Sequence, residues 1–372
     1  MAKYQNEAAW LPGVGKQIEI GPADTPEPGP EELVIEVKVV AAQPAEYKIQ
    51  EGTLPYQLNY PTVIGSQYPF PTEWSPLVAK SATVSLSGVV VKAGTQVTRF
   101  KKGDRIVTNS AGSIRNDPRF GAYQKYAVTT QEMTAKPSQM IADNTASQIG
   151  DQSFEAAVSI SSLAYPASAL FIHLSLEKPT QHPNPSNKNK KVLVWGASSS
   201  FGAYATYLAA RAGYTVIGVA SSHNKPLVLS FGAEHFVDRH SPTVKQELID
   251  LGPFEAVLAA ADAAQDQSVL GAVLAAHGGG SFLSTMGVRP GVELPSSVEG
   301  KFVAIMDVYL DPSSLDFTKW VWWELLEGEL ASGRLQPVPV HVLGGLDKVQ
   351  EAWNLLKAGK VSGQRLAIAP GL

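Results

Sequence analysis

Hydrophobic and polar positions divide the chain into a strand-rich first part and a later part in which strands alternate with helices. Up to about Ala135, short apolar or alternating runs are separated by Gly and Pro, which predicts a β-rich, barrel-like unit. The runs that predict strands are 33–41, 84–92, 106–107 and 121–128. From 154 to 174 the apolar period becomes helical.

The most informative stretch runs from 191 to 224. Residues 191–195 predict a buried parallel strand, 196–202 a tight turn of small residues, about 201–212 a helix, and 214–220 a second strand. This is the order of a dinucleotide-binding βαβ unit, in which the turn lets a pyrophosphate approach the backbone and the helix N-terminus supplies N–H groups. The alternative is a helix packed closely on a strand, with no ligand.

Further strands and helices extend this pattern. The predicted strands at 235–238, 256–260 and 280–285 imply a doubly wound parallel sheet of the Rossmann type, and hence an α/β fold class. A polar, Pro-rich connector, 177–190, is predicted to be an exposed loop. After the sheet we predict a helix at 318–328, a strand at 338–343, a helix at 346–359, and a last strand at 363–368 that rejoins the first domain.

The glycine pattern and the end of the second strand favour a phosphorylated cofactor. Serine occupies the middle position of G-x-x-S-x-x-G, and the predicted cofactor contacts at this turn are Gly196, Ser198, Ser199, Ser200, Phe201 and Gly202. NAD-specific sites usually place Asp or Glu after the second strand. Here residues 221–225 offer hydrogen-bond donors and a positive charge instead, which suits a 2′-phosphate and favours NADPH over NADH. The alternative is that these residues form a solvated turn without a ligand. The contacts predicted on this side are Ser221, Ser222, His223, Asn224 and Arg239.

Composition narrows the partners and the compartment. The 372 residues are 44% hydrophobic and 17% charged with a net charge of −4, which argues against nucleic acid or an acidic membrane as a partner. No apolar run approaches the roughly 20 residues of a membrane span, and no apolar signal core begins the chain. Cysteine is absent, so disulfides, thiolate catalysis and cysteine-ligated zinc are excluded, and a cytoplasmic location is expected. His235 and His240 are predicted to be solvated.

Several local motifs together resemble the medium-chain dehydrogenase/reductase superfamily. Gln43-Pro-Ala-Glu-Tyr-Lys48 is similar to the Asn-Pro-x-Asp-x-Lys segment of its zinc-independent branch, and 94–107 is similar to its V-G-x-x-V-x-x-F-K-x-G-D-R-V run. Residues 120–126, 343–346 and 359–363 match later segments. The Ala-Leu-Phe-x-His-Leu run and the Pro-rich connector look most like fungal stand-alone enoyl reductases of polyketide pathways.

The resemblance implies an architecture and a reaction. The expected architecture has three parts: a GroES-like β-rich catalytic domain at 1–150, a Rossmann NADP-binding domain at 151–320, and a segment at 321–372 that returns to the catalytic domain. The expected activity is NADPH-dependent reduction of an activated C=C bond without zinc, because Gly65-Ser66-Gln67 stands where zinc-dependent members have Gly-His-Glu. The substrate would be a small molecule or an acyl thioester on a polyketide synthase acyl carrier domain. The alternatives are a quinone or small-enone reductase and a catalytically silent binding protein.

Site residues follow from the same resemblance. Lys48 is predicted to contact ribose or enolate, Tyr47 to assist it, and Tyr165 to be a candidate proton donor. The alternative is that none of them has a catalytic role: Lys48 is then a surface lysine, Tyr47 packs its ring, and Tyr165 is a capping or packing residue of the helix. The further predicted cofactor contacts are Gln43, Pro44, Ala45, Glu46, Gly359 and Lys360.

Two departures from the family pattern stand out. Twenty-three positions separate Gly65 from Gly88 where the family has about five, which indicates either a substrate-shaping loop or a translated intron, chiefly within 66–84. Ala164 takes the position of the family's usual threonine, and Ser161, Ser162 or Tyr165 are the candidate replacements for its hydroxyl.

Overall fold

The protein consists of two compact units. A computed structural model describes residues 5–53, 58–64, 84–110, 117–137, 153–302 and 305–372, so most of the 66–84 insertion lies outside the described residues. The first unit comprises Met1–Ser161 and Met306–Leu372, and the second comprises Ser162–Ile305. The resemblance of the sequence predicts boundaries after residues 150 and 320 instead.

Packing explains why the first unit extends beyond residue 150. The helix Phe154–Ile160 lies against the sheet of that unit, where the Ser87 hydroxyl donates to the Phe154 carbonyl at 2.9 Å. The Ser159 hydroxyl donates to the Val338 carbonyl at 2.8 Å. Both ends of this helix are therefore bonded to strands or segments of the first unit.

The N-terminal part of the first unit is rich in strands, as its apolar runs predict. These strands are β1 (Asn6–Leu11), β2 (Glu19–Ala23), β3 (Glu32–Ala41), β4 (Thr62–Val63), β5 (Ser85–Ala93), β6 (Arg105–Asn109), β7 (Tyr126–Thr130) and β8 (Thr134–Ala135). β7 begins later than the predicted strand 121–128. The side-chain amide of Gln124 donates to the carbonyls of Pro118 and Gly121, so the chain before Tyr126 forms a turn. β1 and β2 were not predicted; β2 is short and lacks a buried face.

The second unit is a doubly wound parallel sheet, as predicted. Its strands are β9 (Lys191–Trp195), β10 (Thr215–Ala220), β11 (His235–Asp238), β12 (Ala256–Ala259), β13 (Gly280–Ser284) and β14 (Val298–Phe302). They lie in the order β11-β10-β9-β12-β13-β14, and every neighbouring pair is parallel. The helices of this unit are Ala164–Ser168, Ser200–Arg211, Lys225–Ser230, Val244–Leu251 and Ala264–Ala276, with a π-helical turn at Ala169–His173.

Burial on both faces explains the apolar strands of this sheet. β10 is buried along its whole length and β9 is buried from Val192 onward, because helices cover both faces of a doubly wound sheet. The strand order reverses beside β9, which has β10 on one side and β12 on the other. In such sheets ligands bind outside the carboxyl ends of the strands at this switch point.

The C-terminal part closes the first unit. β15 (Val340–Gly344) pairs with β16 (Arg365–Ile368), and β16 runs antiparallel to β3, with Ala367 opposite Ala41. The predicted return to the first domain is thus confirmed for the last strand. The remaining helices of the unit are Pro44–Gln50, Leu315–Lys319, Glu327–Ser332 and Val349–Lys357.

The predicted helix 318–328 is longer and less regular than expected. A π-helical turn, Trp320–Leu326, separates the helix Leu315–Lys319 from the helix Glu327–Ser332. The Trp323 ring lies under the Arg99 guanidinium, 4.1 Å from its central carbon, and Arg99 also donates to Glu327 at 2.9 Å. Trp323 in the π-helical turn and Glu327 just after it thus both contact Arg99, which lies before β6.

Among the described residues, one helical run, Phe154–His173, is long and apolar enough for a membrane span by length and composition alone, although no such run was predicted. However, 78% of its most apolar window is buried inside the protein, as expected for a core helix.

Candidate cofactor site and active-site residues

The turn after β9 leaves no room for side chains at its two glycines. Gly196 has a φ of +79°, and a Cβ there would lie 2.6 Å from the Ala261 amide nitrogen. A Cβ on Gly202 would lie 2.2 Å from the Gly196 carbonyl oxygen. Only glycine fits at either position, because neighbouring backbone occupies the space that a Cβ would need and the strand, turn and helix pack closely. A tight glycine turn between a parallel strand and a helix N-terminus is the arrangement that binds a pyrophosphate in dinucleotide-binding folds.

Serine at the middle position of the glycine pattern has a local role. The Ser199 hydroxyl accepts a hydrogen bond from the Gly202 amide at 3.0 Å and donates one to the Gly196 carbonyl at 2.8 Å. Ser199 is therefore the N-cap of the helix Ser200–Arg211 and also ties the turn to it. The amides of that first turn and the helix dipole favour an anion beside Ser198, Ser200 and Phe201.

The carboxyl end of β10 carries hydroxyl, imidazole and amide groups. The Ser221 hydroxyl lies 3.2 Å from His240 Nε2, and the Asn224 amide nitrogen lies 3.1 Å from His223 Nε2. Ser222 and His223 are exposed. No carboxylate occurs between 221 and 225, so the position that binds a ribose 2′-hydroxyl in NAD-specific sites is uncharged or basic.

Arg239 follows β11 and is held by an ion pair. Its guanidinium donates to Asp266 at 2.6 Å, and the amide of Ala263 donates to the same carboxylate at 2.7 Å. Asp266 is buried at the start of the helix Ala264–Ala276 and the Arg239 side chain is partly exposed. His240, predicted to be solvated, is exposed but bonded to Ser221; His235 is exposed.

In the first unit, Glu46 is a buried carboxyl rather than an open contact. It is 1% exposed, and its Oε2 accepts from the Gln43 amide at 3.0 Å and from the Tyr123 hydroxyl at 2.7 Å. Burial raises the pKa of Glu46 from 4.5 to about 7, against the opposing effects of these hydrogen bonds and of the nearby charge of Arg365. Burial, and then the Glu46 charge, raises the pKa of Tyr123 well above 10.

The residues next to Glu46 on the helix Pro44–Gln50 are more exposed to solvent than Glu46 itself. Tyr47 and Lys48 are both partly exposed, with Lys48 Nζ 6.0 Å from the centre of the Tyr47 ring. Pro44 is exposed and Ala45 partly so. The capping interaction of Glu46 thus fixes the helix that carries the two predicted catalytic side chains of this unit.

The other predicted site residues, Tyr165, Gly359 and Lys360, belong to different helices and turns. Tyr165 is partly exposed in the helix Ala164–Ser168 of the second unit. Gly359 has a φ of +65° and ends the helix Val349–Lys357, where the Lys360 amide donates to the Leu355 carbonyl. This helix-terminal turn requires glycine by itself. The roles of these residues toward a cofactor stay predictions.

Sequence analysis missed a polar network at the ends of β12 and β13. Asp262 accepts hydrogen bonds from Gln267, Ser284 and Arg289. The only signal for it in the sequence was an aspartate just beyond the predicted strand 256–260.

Among the residues that the structure describes, no group of three or more His, Asp or Glu side chains could hold a metal ion.

Comparison with known proteins identifies the family. Residues 29–139 match the model of the alcohol dehydrogenase GroES-like domain. The chain is 31% identical over 375 residues to the trans-enoyl reductase himH of Aspergillus japonicus, covering 99% of this chain and 98% of that protein. The chain belongs to the medium-chain dehydrogenase/reductase family. It is also 29% identical to the dehydrogenase orsE of Emericella nidulans, over 98% of this chain and 99% of that one.

Solved structures of medium-chain dehydrogenase/reductase proteins share the fold. An alcohol dehydrogenase superfamily protein from Novosphingobium aromaticivorans superimposes with a TM-score of 0.72 at 16% identity, covering 98% of this chain and 99% of that one. The CurK enoyl reductase superimposes with a TM-score of 0.68 at 14% identity and the same coverage. The predicted fold class, a Rossmann sheet with a GroES-like domain, is confirmed. Membership of this family implies a nicotinamide cofactor and an oxidoreductase activity.

Proposed function

We propose that this protein is an NADPH-dependent, zinc-independent reductase of activated C=C bonds that acts as a trans-enoyl reductase in polyketide biosynthesis. The observation that carries the proposal is the tight glycine turn at the switch point, in a chain similar along its whole length to a trans-enoyl reductase. The substrate is an α,β-unsaturated acyl thioester, and the partner is a synthase acyl carrier domain. Such a role fits a cytoplasmic protein.

The choice of NADPH is supported by the ends of β10 and β11. Ser221, His223 and Arg239 offer hydrogen-bond donors on this side of the sheet, and a 2′-phosphate needs donors and positive charge rather than a carboxylate. When bound, the reduced nicotinamide would supply a hydride to the β-carbon of the substrate.

The chain's own residues have to stabilise charge and deliver a proton. Reduction of a conjugated carbonyl places negative charge on its oxygen, and a cationic or hydroxyl donor near that oxygen lowers the barrier. Lys48 is the proposed donor, with Tyr47 beside it on a helix whose start is fixed by the buried Glu46. The α-carbon proton comes from Lys48, Tyr165 or water.

The absence of zinc chemistry is supported by the donor set. The 372 residues include no cysteine, and the conjugated carbonyl of an enoyl thioester already polarises the double bond. A metal Lewis acid is therefore not needed for hydride acceptance.

The test is NADPH oxidation by the purified protein with an α,β-unsaturated acyl-pantetheine thioester, a free quinone and a small enone offered separately. We expect the thioester to be reduced, with mass spectrometry showing that it has gained two hydrogens, and NADH to be a poorer donor. Oxidation with quinones or small enones but not with the thioester would assign the chain to quinone and enone reductases instead. If fluorescence titration detects no NADPH binding at high micromolar concentration, the protein is a silent binding protein on this fold.

A further inference from the structure

A buried polar network joins the segments that follow β12 and β13. The Asp262 carboxylate is fully buried, and its oxygens accept from Gln267 Nε2 at 2.7 Å, Ser284 Oγ at 2.9 Å and Arg289 Nη2 at 2.8 Å. Arg289 Nη2 also donates to the Asp262 carbonyl at 2.7 Å, and the Arg289 amide donates to Gln267 at 2.8 Å. A buried charge is tolerated only when it is paired in this way, so the network is rigid.

The same network lies against the glycine turn. The amides of Ala260 and Ala261 approach the Trp195 carbonyl at 2.8 and 3.4 Å, and the Cβ that Gly196 lacks would lie 2.6 Å from the Ala261 nitrogen. Residues 260–262 therefore form one wall of the turn proposed to hold the pyrophosphate. Because Arg289 bonds to both the carbonyl and the side chain of Asp262, its guanidinium is fixed relative to that wall.

Arg289 still has a donor to offer. Its Nε is shielded from solvent and has no acceptor among the residues that the structure describes, although the side chain as a whole is 26% exposed. A guanidinium carries five N–H donors, and a buried donor without a partner is unfavourable. Because Nε itself is enclosed, a ligand oxygen would bond to the exposed part of the guanidinium, whose bonds to the described protein come from Nη2.

Sheet topology decides which part of a ligand lies there. A dinucleotide spans the switch point with its pyrophosphate on the turn after β9, and its adenosine ribose lies by the end of the second strand, β10. The other half then lies over β12 and β13, on the opposite side of β9. Arg289 follows β13, five residues after Ser284 ends that strand.

We propose that Arg289, held in place by Asp262, binds an oxygen of the nicotinamide riboside half of the cofactor. That oxygen is a ribose hydroxyl or the carboxamide carbonyl, both of which accept an N–H. The proposal rests on the proposed function, since it requires a nicotinamide dinucleotide on this sheet.

The experiment distinguishes the binding contributions of the two halves of the cofactor. Dissociation constants are measured by calorimetry for NADPH and for adenosine 2′,5′-bisphosphate, which lacks the nicotinamide riboside. For Arg289→Gln we expect NADPH to bind at least about tenfold more weakly, as for loss of a charge-assisted hydrogen bond, and the bisphosphate to bind as it does to the unaltered protein. Arg239→Gln is the matched control: it alters the other buried Arg–Asp pair and should weaken both ligands equally.

The outcomes distinguish this inference from the proposed function. If the unaltered protein binds neither ligand, the proposed function itself is wrong. If it binds both, and Arg289→Gln weakens both equally or neither, the proposed function stands and the role of Arg289 is overturned. Thermal unfolding checks folding. Should Arg289→Gln not fold, Arg289→Lys keeps the charge but loses the planar set of guanidinium donors and should give the same selective loss for NADPH.

Discussion

The buried carboxyl of Glu46 makes the stability of the first unit depend on pH in a calculable way. The perturbation is Glu46→Gln, which keeps the volume and an acceptor for the Gln43 amide and the Tyr123 hydroxyl but cannot ionise. Because burial raises the pKa of Glu46 from 4.5 to about 7, the folded protein holds this proton more tightly than the unfolded chain does. The resulting stabilisation is complete below about pH 4.5 and is lost as the pH rises through about 7.

The size of the effect follows from the shift. A pKa difference of about 2.5 corresponds to about 3 kcal/mol, at about 1.4 kcal/mol per pH unit between the two pKa values. The unaltered protein should therefore lose about 3 kcal/mol relative to Glu46→Gln between pH 4.5 and pH 8. For domains of 150–250 residues this corresponds to roughly 6–12 °C in melting temperature.

The assay is differential scanning calorimetry of both proteins from pH 4.5 to 8, following the transition of the first unit. Groups that titrate in both proteins cancel in the difference, so it reports Glu46 alone. Glu31→Gln, at an exposed position directly before β3 in the same unit, is the control and should leave the pH dependence unchanged. A constant difference between the unaltered protein and Glu46→Gln across this range would show that Glu46 does not titrate with a raised pKa, and would refute the reasoning.

Three further substitutions test the cofactor site and the proposed chemistry. Gly202→Ala places a Cβ 2.2 Å from a carbonyl oxygen, so chemical unfolding should show a loss of at least about 2 kcal/mol together with weaker NADPH binding; Gly328→Ala, with open space around it, should be neutral, and equal effects would contradict the packing argument. Ser221→Asp puts a carboxylate at the end of β10 and should move the NADPH-to-NADH ratio of kcat/KM at least about tenfold toward NADH; an unchanged ratio would mean that this position does not meet the ribose. Lys48→Ala should lower kcat at least about tenfold with unchanged melting temperature, unlike the exposed Lys102→Ala, and unaltered kinetics would remove Lys48 from the mechanism.

The nucleotide-binding unit was the part of the fold most predictable from the sequence. The strands at 191–195 and 235–238 match β9 and β11 residue for residue, and the others agree within one residue at each end. A strand buried on both faces must be apolar throughout, and Gly or polar residues must end it, so the pattern and the structure have the same cause. β14 was missed because its residues alternate in a charged run, Val-Glu-Gly-Lys-Phe, at an edge of the sheet.

Site residues were less predictable because their environment depends on distant parts of the chain. Glu46 was predicted as a cofactor contact, yet it is buried and its carboxyl accepts a hydrogen bond from Tyr123, 77 residues away in sequence. Likewise, Arg289 meets Asp262 only because β12 and β13 are neighbours in the sheet. Spacing along one segment carries no information about such pairs, whereas the strand, turn and helix around Gly196 and Gly202 lie within one segment and were predicted.

The antiparallel pairing of β16 with β3 also determines when each unit can fold during translation. The nucleotide-binding unit, 162–305, is complete once its last strand has been made, and it can fold while the ribosome is still translating the rest. The first unit must wait, because the end of β3 has β5 beside it on one edge, and Val40 and Ala41 receive a partner on the other edge only from residues 367–368. Until then this second edge at the end of β3 lacks its partner strand and is open to pairing with other nascent chains. A chain released a few residues early would therefore be expected to aggregate rather than merely to lose activity.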